Sequence, residues 1–313
     1  MSSIKTYIVN SAWLLTEKVL ALGVSFFVSA YVARTYGAHN FGVIAYALAL
    51  ANLFAVAGHV GLSGLLVREI VKHPDDVPTI LGTGLALKSM GFLLGFVGLL
   101  VFALFVANIT PLERYAIVIA ASMLLFQPMQ VLDFWFQSKL QNKFSVISKQ
   151  VALIIASGIK VVATFSGASL LIVVGASAIQ VFIAVALAMF FYWRSGEVIR
   201  AWRYSAERGK ALLKQGSLVY LGSIFAIVYL KIDQVMLREF IGSGAVGIYA
   251  VAGSLSETWY FIPIAIVTSV YPKLIDLRGT RPDLYNRRLQ QLLDLLFVLA
   301  VAVALVMTWL AEP

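Results

Sequence analysis

The chain has 313 residues, of which 61% are hydrophobic and only 12% charged, with a formal net charge of +9 and no cysteine. Soluble domains carry about a quarter charged residues, and the mean hydropathy here is +0.90. A soluble globular fold, a disulfide scaffold, thiolate metal sites and cysteine nucleophiles are excluded, which leaves a polytopic membrane protein.

The apolar runs reach the ~20 residues that cross a hydrocarbon core as helix. No alternating barrel-type segments occur, so the fold class is all-α. The spacing predicts nine spans: Trp13–Ala33, Val43–Leu66, Leu85–Ala107, Ala116–Phe136, Val146–Phe165, Leu170–Trp193, Ser217–Leu237, Val246–Tyr271 and Leu292–Leu310. The beginning does not read as a cleaved signal, because Glu17-Lys18 interrupts the first apolar run and no small-residue cleavage site follows.

The basic residues sit mostly in short loops, which argues against nucleic acid and sets topology instead. The N-terminus and the loops after spans 2, 4, 6 and 8 carry Lys5; Arg68 and Lys72; Lys139, Lys143 and Lys149; six residues from Arg194 to Lys214; and five from Lys273 to Arg288. The opposite loops hold only Arg34, Arg114 and Arg238. Positive charge stays inside, so the N-terminus is expected to be cytoplasmic. The longest connection, residues 194–214, mixes basic with aromatic and aliphatic residues in Arg200-Ala-Trp-Arg-Tyr and Lys210-Ala-Leu-Leu-Lys. It reads as an interfacial linker with a membrane-anchoring face.

Gly37-x4-Gly42 before span 2 is echoed by Gly242-x4-Gly247 before span 8, an offset of 205 that also places Arg68 on Lys273. The repeat is parallel, its axis along the membrane normal. It divides the chain into a six-helix N-terminal lobe (residues 1–193), the linker (194–214) and a C-terminal lobe (215–313) represented by its first three helices. Counterparts of spans 4–6 are expected beyond Ala311-Glu312-Pro313, so the chain reads as a C-terminally truncated form.

Charged residues within spans cost a few kcal/mol each and usually line an interior or a pathway. Glu17, Lys18, Lys88, Asp133, Lys160, Lys231, Asp233, Glu257 and Asp294 fall in or at the edges of spans. Pairing or snorkelling to headgroups accounts for Lys18, Lys88 and Asp294, each near a cytoplasmic end. Lys160, Lys231, Asp233 and Glu257 are deeper. Lys231 and Asp233 are about 200° apart around a helix, so each needs its own surroundings. Glu257 lies near Pro263, which bends a helix. It is either a proton-linked gate or a fixed partner for Lys231. Lys18, Lys88, Lys160 and Lys231 make an interior suited to an anion, with lysine ammonium groups as point charges for phosphate. Tyr229, Tyr249, Trp259 and Tyr260 offer sugar-stacking faces or belong to interfacial aromatic belts.

Three histidines, His39, His59 and His73, lack metal-ligand spacing. No P-loop and no loop Asp-x-Asp pair occurs, and no loop can house a catalytic domain. No cofactor or metal is expected, and the chain reads as a transporter, not an enzyme.

Lys231-Ile-Asp-Gln-Val-Met-Leu237, Val246-Gly-Ile-Tyr-Ala-Val-Ala252 and Leu255-Ser-Glu-Thr-Trp-Tyr-Phe-Ile-Pro263 resemble the seventh and eighth spans of Wzx-type polysaccharide flippases of the MATE-like exporter superfamily. Tyr31-Val-Ala-Arg34, Val67-Arg-Glu-Ile70 and Phe136-Gln-Ser138 agree. The resemblance implies a bacterial inner-membrane protein with two six-helix lobes and alternating access. It would flip an undecaprenyl-pyrophosphate-linked oligosaccharide, such as an O-antigen repeat unit, among membrane lipids and alongside polysaccharide polymerase and chain-length proteins. Lys160, Lys231, Asp233, Tyr229, Trp259 and Tyr260 are then candidate cavity residues. Glu257, Pro263, Glu17, Lys18 and Lys88 are candidates for coupling or gating. Ion-coupled multidrug efflux, which wants an acidic cavity, is the alternative transport reading; an inactive fragment or assembly partner of the polysaccharide machinery is the other.

Overall fold

The computed structural model describes residues 2–105, 109–259, 282–311 and isolated positions between 262 and 274. Among the described residues every regular element is helical. They are α1 (Ser2–His59), α2 (Ser63–Lys72), α3 (Val77–Phe105), α4 (Pro111–Ala121), α5 (Met123–Phe126), α6 (Val131–Ser138), α7 (Asn142–Phe165), α8 (Leu170–Arg194), α9 (Ala206–Phe240), α10 (Ser243–Thr258) and α11 (Pro282–Ala311).

Among the described residues, seven stretches are long and apolar enough to cross a membrane: Thr16–Lys72, Pro74–Phe105, Pro111–Ser138, Asn142–Phe165, Leu170–Arg194, Ala206–Phe240 and Asp283–Trp309. The first covers two expected spans. A straight helix of α1's 58 residues would be about 87 Å long, against a hydrocarbon core of ~30 Å. It breaks at Gly37, whose φ of 76° and ψ of 167° are non-helical and open chiefly to glycine. Contacts show the reversal. The Glu17 carbonyl accepts a 2.9 Å hydrogen bond from Gln150 Nε2, and Tyr36 donates its hydroxyl to the Ala168 carbonyl at 2.6 Å, so the first half runs beside α7. The second half returns along α3, where a Cβ built on Gly91 or Gly95 would overlap the Ala57 or Phe54 carbonyl. The expected eighth span begins in α10, a shorter apolar helix; the residues after it are mostly outside the described set.

Local chemistry fixes several ends. α4 opens with Pro111 in its first turn and a Thr110/Glu113 capping box, which satisfies two orphan donors reciprocally. Ser169 caps α8 and Ser205 caps α9. Gly167 turns the α7–α8 connection at φ 65°, the left-handed conformation of a helix C-terminus.

Packing defines two compact units, residues 1–251 and 252–313. The first has two apolar clusters. One gathers Val43, Tyr46, Leu50, Leu99, Ile117, Val174 and Val246. The other, toward the basic loops, gathers Leu66, Leu81, Leu132, Trp135, Phe136 and Tyr192, with the Trp135 and Tyr192 rings edge to face at 4.9 Å. The basic linker docks on this end through its own bonds. Trp202 Nε1 donates to the Tyr192 hydroxyl at 2.9 Å, Ser205 N to Thr83 Oγ1 at 3.0 Å, and Arg208 pairs with Asp76. The second unit contributes α11.

Candidate functional site: a glycine-walled cleft and four charge clusters

The loop after α1 and the start of α2 face α9 across a cleft. Its amino-terminal wall is His59, Gly61, Gly64, Leu65 and Arg68. Its other wall is Gln215, Gly216, Val219, Ser223 and Ile227. Two adjoining volumes of about 310 and 450 Å³ make up the space. Its walls meet at glycine: Gly61 sits at φ +63°, and a Cβ there would overlap the Gly216 carbonyl oxygen. Above this contact, Arg68 Nη2 donates to Gln215 Oε1 at 2.5 Å and lies 3.5 Å from Glu69 Oε1. The arginine is half exposed. Its Nε and Nη1 make no hydrogen bond among the described residues. Among the described residues that line the cleft none is a carboxylate; Glu69 stands behind Arg68.

A second cluster lies inside the amino-terminal helices. Lys149 Nζ reaches Asp133 Oδ2 at 3.0 Å and Glu17 Oε1 at 3.8 Å, and Ser145 Oγ donates to Asp133 Oδ1 at 2.5 Å. Asp133 and Lys149 line a cavity of about 210 Å³ with Gln130, Ser148 and Gln180. Glu17, expected as a coupling residue, is thus within ion-pair distance of Lys149. Lys149, reckoned with a loop by charge counting, is in helix α7.

Lys88 does not snorkel, contrary to expectation. It is 1% exposed, with Nζ 5.3 Å from the Phe92 ring centroid and 5.5 Å from that of Phe134. It makes no ion pair among the described residues. Cation–π attraction offsets part of its desolvation.

The fourth cluster, at the end opposite the basic loops, was not anticipated. Glu113 and Arg238 form a two-pronged pair, Nη2–Oε2 at 2.8 Å and Nε–Oε1 at 3.1 Å, with side chains 3% and 7% exposed. Ser243 Oγ donates to Glu113 Oε1 at 2.6 Å, while Thr110 N and Oγ1 donate to Oε2, each at 2.9 Å. Arg238 also meets Glu239 at 3.0 Å and covers the Tyr46 ring at 5.3 Å. Two signals for it were in the sequence. Thr110-x-x-Glu113 is a capping box, and Arg238 is one of three basic residues on the sparse side of the charge pattern.

The remaining sequence-named residues scatter. Lys160 is half-buried on α7, and its carbonyl accepts from Thr164 Oγ1 at 2.7 Å. Lys231 is half-buried on α9, Tyr229 is 80% exposed and Lys18 is exposed. Asp233 has a partner in the Tyr249 hydroxyl of α10 and accepts from Gln234 N at 2.7 Å. Trp259 is half-buried in the turn after α10, and Pro263 is in helical backbone. The Glu257 side chain and Tyr260 lie outside the described residues. None of the cavities above is lined by Lys88, Lys160 or Lys231.

Residues 8–277 match the family described as "Polysaccharide biosynthesis protein". The chain belongs to this family. As a member it is a multi-pass membrane transport protein of polysaccharide biosynthesis, not an enzyme. It is 23% identical over 308 residues to a Shigella flexneri protein described as a candidate O-antigen transporter, covering 95% of this chain and 73% of that protein. Among solved structures it resembles an inward-facing multidrug resistance MATE family transporter of the MOP superfamily. That match has a TM-score of 0.44 and 13% identity, over 94% of this chain and 67% of the other, a likeness too loose to assign a fold.

Proposed function

We propose that the protein flips an undecaprenyl-pyrophosphate-linked oligosaccharide, an O-antigen or related repeat unit, from the cytoplasmic to the periplasmic leaflet of a bacterial inner membrane by alternating access. The observation that carries this reading is the cleft between α2 and α9. Such a substrate joins a long lipid tail to a dianionic pyrophosphate and a bulky sugar. A slot whose walls are largely glycine and aliphatic, with His59, Gln215 and Ser223 among them, admits the chain, and an arginine with free donors at its basic end suits phosphate oxygens by bidentate bonds. A cationic drug would want the opposite lining, and none of the described residues that line the cleft is a carboxylate.

Within this reading the N-terminus is cytoplasmic, as the basic loops require. Residues 1–193 and 215–313 act as lobes joined by the linker. Lys160, Lys231 and Asp233, with Tyr229, Trp259 and Tyr260, contact the head group in other states of the cycle. Glu17, Lys18, Lys88, Glu257 and Pro263 serve coupling or gating. Polymerase and chain-length proteins receive the product.

Arg68→Ala and Lys231→Ala should each abolish surface polysaccharide in a complementation assay while the protein stays at its normal level in the membrane. Full surface polysaccharide from Arg68→Ala would refute the anion-binding role of the cleft, and full output from Lys231→Ala would refute the head-group role of Lys231.

A further inference from the structure

At the end opposite the basic loops the structure places two glycines of the internal repeat against each other. A Cβ built on Gly42 would overlap the Ser243 carbonyl oxygen, and one built on Gly247 would overlap the Ala38 carbonyl oxygen. The offset of 205 carries Ala38 onto Ser243 and Gly42 onto Gly247. The contact is therefore reciprocal, as across a two-fold axis, where residue i meets j and j meets i. Each side is a small-xxx-small pair, the pattern that lets helix backbones approach closely within a membrane. The Glu113–Arg238 pair lies beside this crossing, and Ser243 belongs to both.

We infer that this crossing and its ion pair form a releasable clasp that closes the exit side while the cleft at the basic end is open; the inference rests on the transport reading above. Three features favour a clasp over a permanent joint. Its partners come from different halves of the repeat: Glu113 is fixed to α4 by its capping box, and Arg238 stands in the last turn of α9. At the crossing itself the apposed surfaces are backbone and small side chains, with Val246 beside them as the one large apolar side chain of α10 fully buried in the amino-terminal cluster. The pair is buried, and a buried pair gives little net stability over apolar packing while strongly resisting the loss of one partner. It specifies one closed register and adds little glue. Glu239 and Tyr46, joined at 3.2 Å, offer Arg238 polar contacts beside the clasp.

The chain has no native cysteine, so a single reporter thiol is unambiguous. Val246, fully buried beside the crossing, is changed to cysteine in the full chain. Intact cells are then labelled from outside with a membrane-impermeant maleimide. The parent is expected to label slowly. Glu113→Gln and Arg238→Gln should each speed labelling roughly tenfold or more, the scale expected when one member of a buried pair is removed. Gly247→Ala, which wedges the backbones apart without touching charge, should do the same. Unchanged labelling in all three variants, at normal membrane levels, would overturn the clasp, as would fast labelling of the parent. The readout needs no substrate, so a failure here is distinct from a failure to move lipid-linked sugar.

Discussion

Glu113 and Lys88 show how differently a membrane interior treats two charges. Glu113 is met by a guanidinium, two hydroxyls and a backbone amide. Lys88 is met by two aromatic faces. An uncompensated buried charge is costly, so Lys88→Met should keep or raise thermal stability, by on the order of 1 kcal/mol, in detergent or lipid discs. A drop of several degrees in Tm would mean that Lys88 holds the bundle together. At this scale the sequence was legible in kind and illegible in pairing. That Glu17, Lys88 and Asp233 are unusual follows from one-dimensional position alone. Their partners, Lys149, the Phe92 and Phe134 rings, and Tyr249, do not. Glu113 and Arg238 are 125 positions apart, and each looks like an ordinary span-end charge until the helices are packed.

Among elements, the glycines mark where helices touch. The repeat spacing Gly37-x4-Gly42 and Gly242-x4-Gly247 was readable as a landmark, but its purpose required the close approach of α1 and α10. Gly37 additionally supplies the break that lets one long helix run out and back. Gly61 does a third job, holding α9 near α2 at a positive φ. Gly61→Val should force α9 away from this wall and strain a backbone conformation that costs a β-branched residue roughly 1–3 kcal/mol. Surface polysaccharide should fall at least tenfold, with Gly61→Ala intermediate. Wild-type output from the valine variant would show that the cleft's width is irrelevant. The linker adds a contact its sequence did not reveal. Trp202 and Arg208 are bonded to the amino-terminal part of the chain, while Val198, Tyr204 and Leu213 stay exposed. Amphipathic composition does not distinguish a lipid surface from a protein one.

For the whole molecule, composition alone decided membrane residence and helical class, because a chain this apolar has few soluble alternatives. Charge bias along the loops predicts an orientation, and under the proposed function a cleft near the basic end with a closed contact at the other fits a cytoplasm-open state. Among the described residues, Lys88, Lys160 and Lys231 do not line the cleft; the cation there is Arg68, which the loop count had treated only as a topology signal. The most direct measurement reconstitutes the full chain into vesicles containing a fluorescent undecaprenyl-pyrophosphate oligosaccharide and follows quenching by a reagent confined to the outside. The account predicts that the wild-type protein exposes the inner-leaflet pool that stays protected in protein-free vesicles, and that Arg68→Ala slows this at least tenfold. Protection of the inner pool in the presence of wild-type protein, equal to that in empty vesicles, would contradict it.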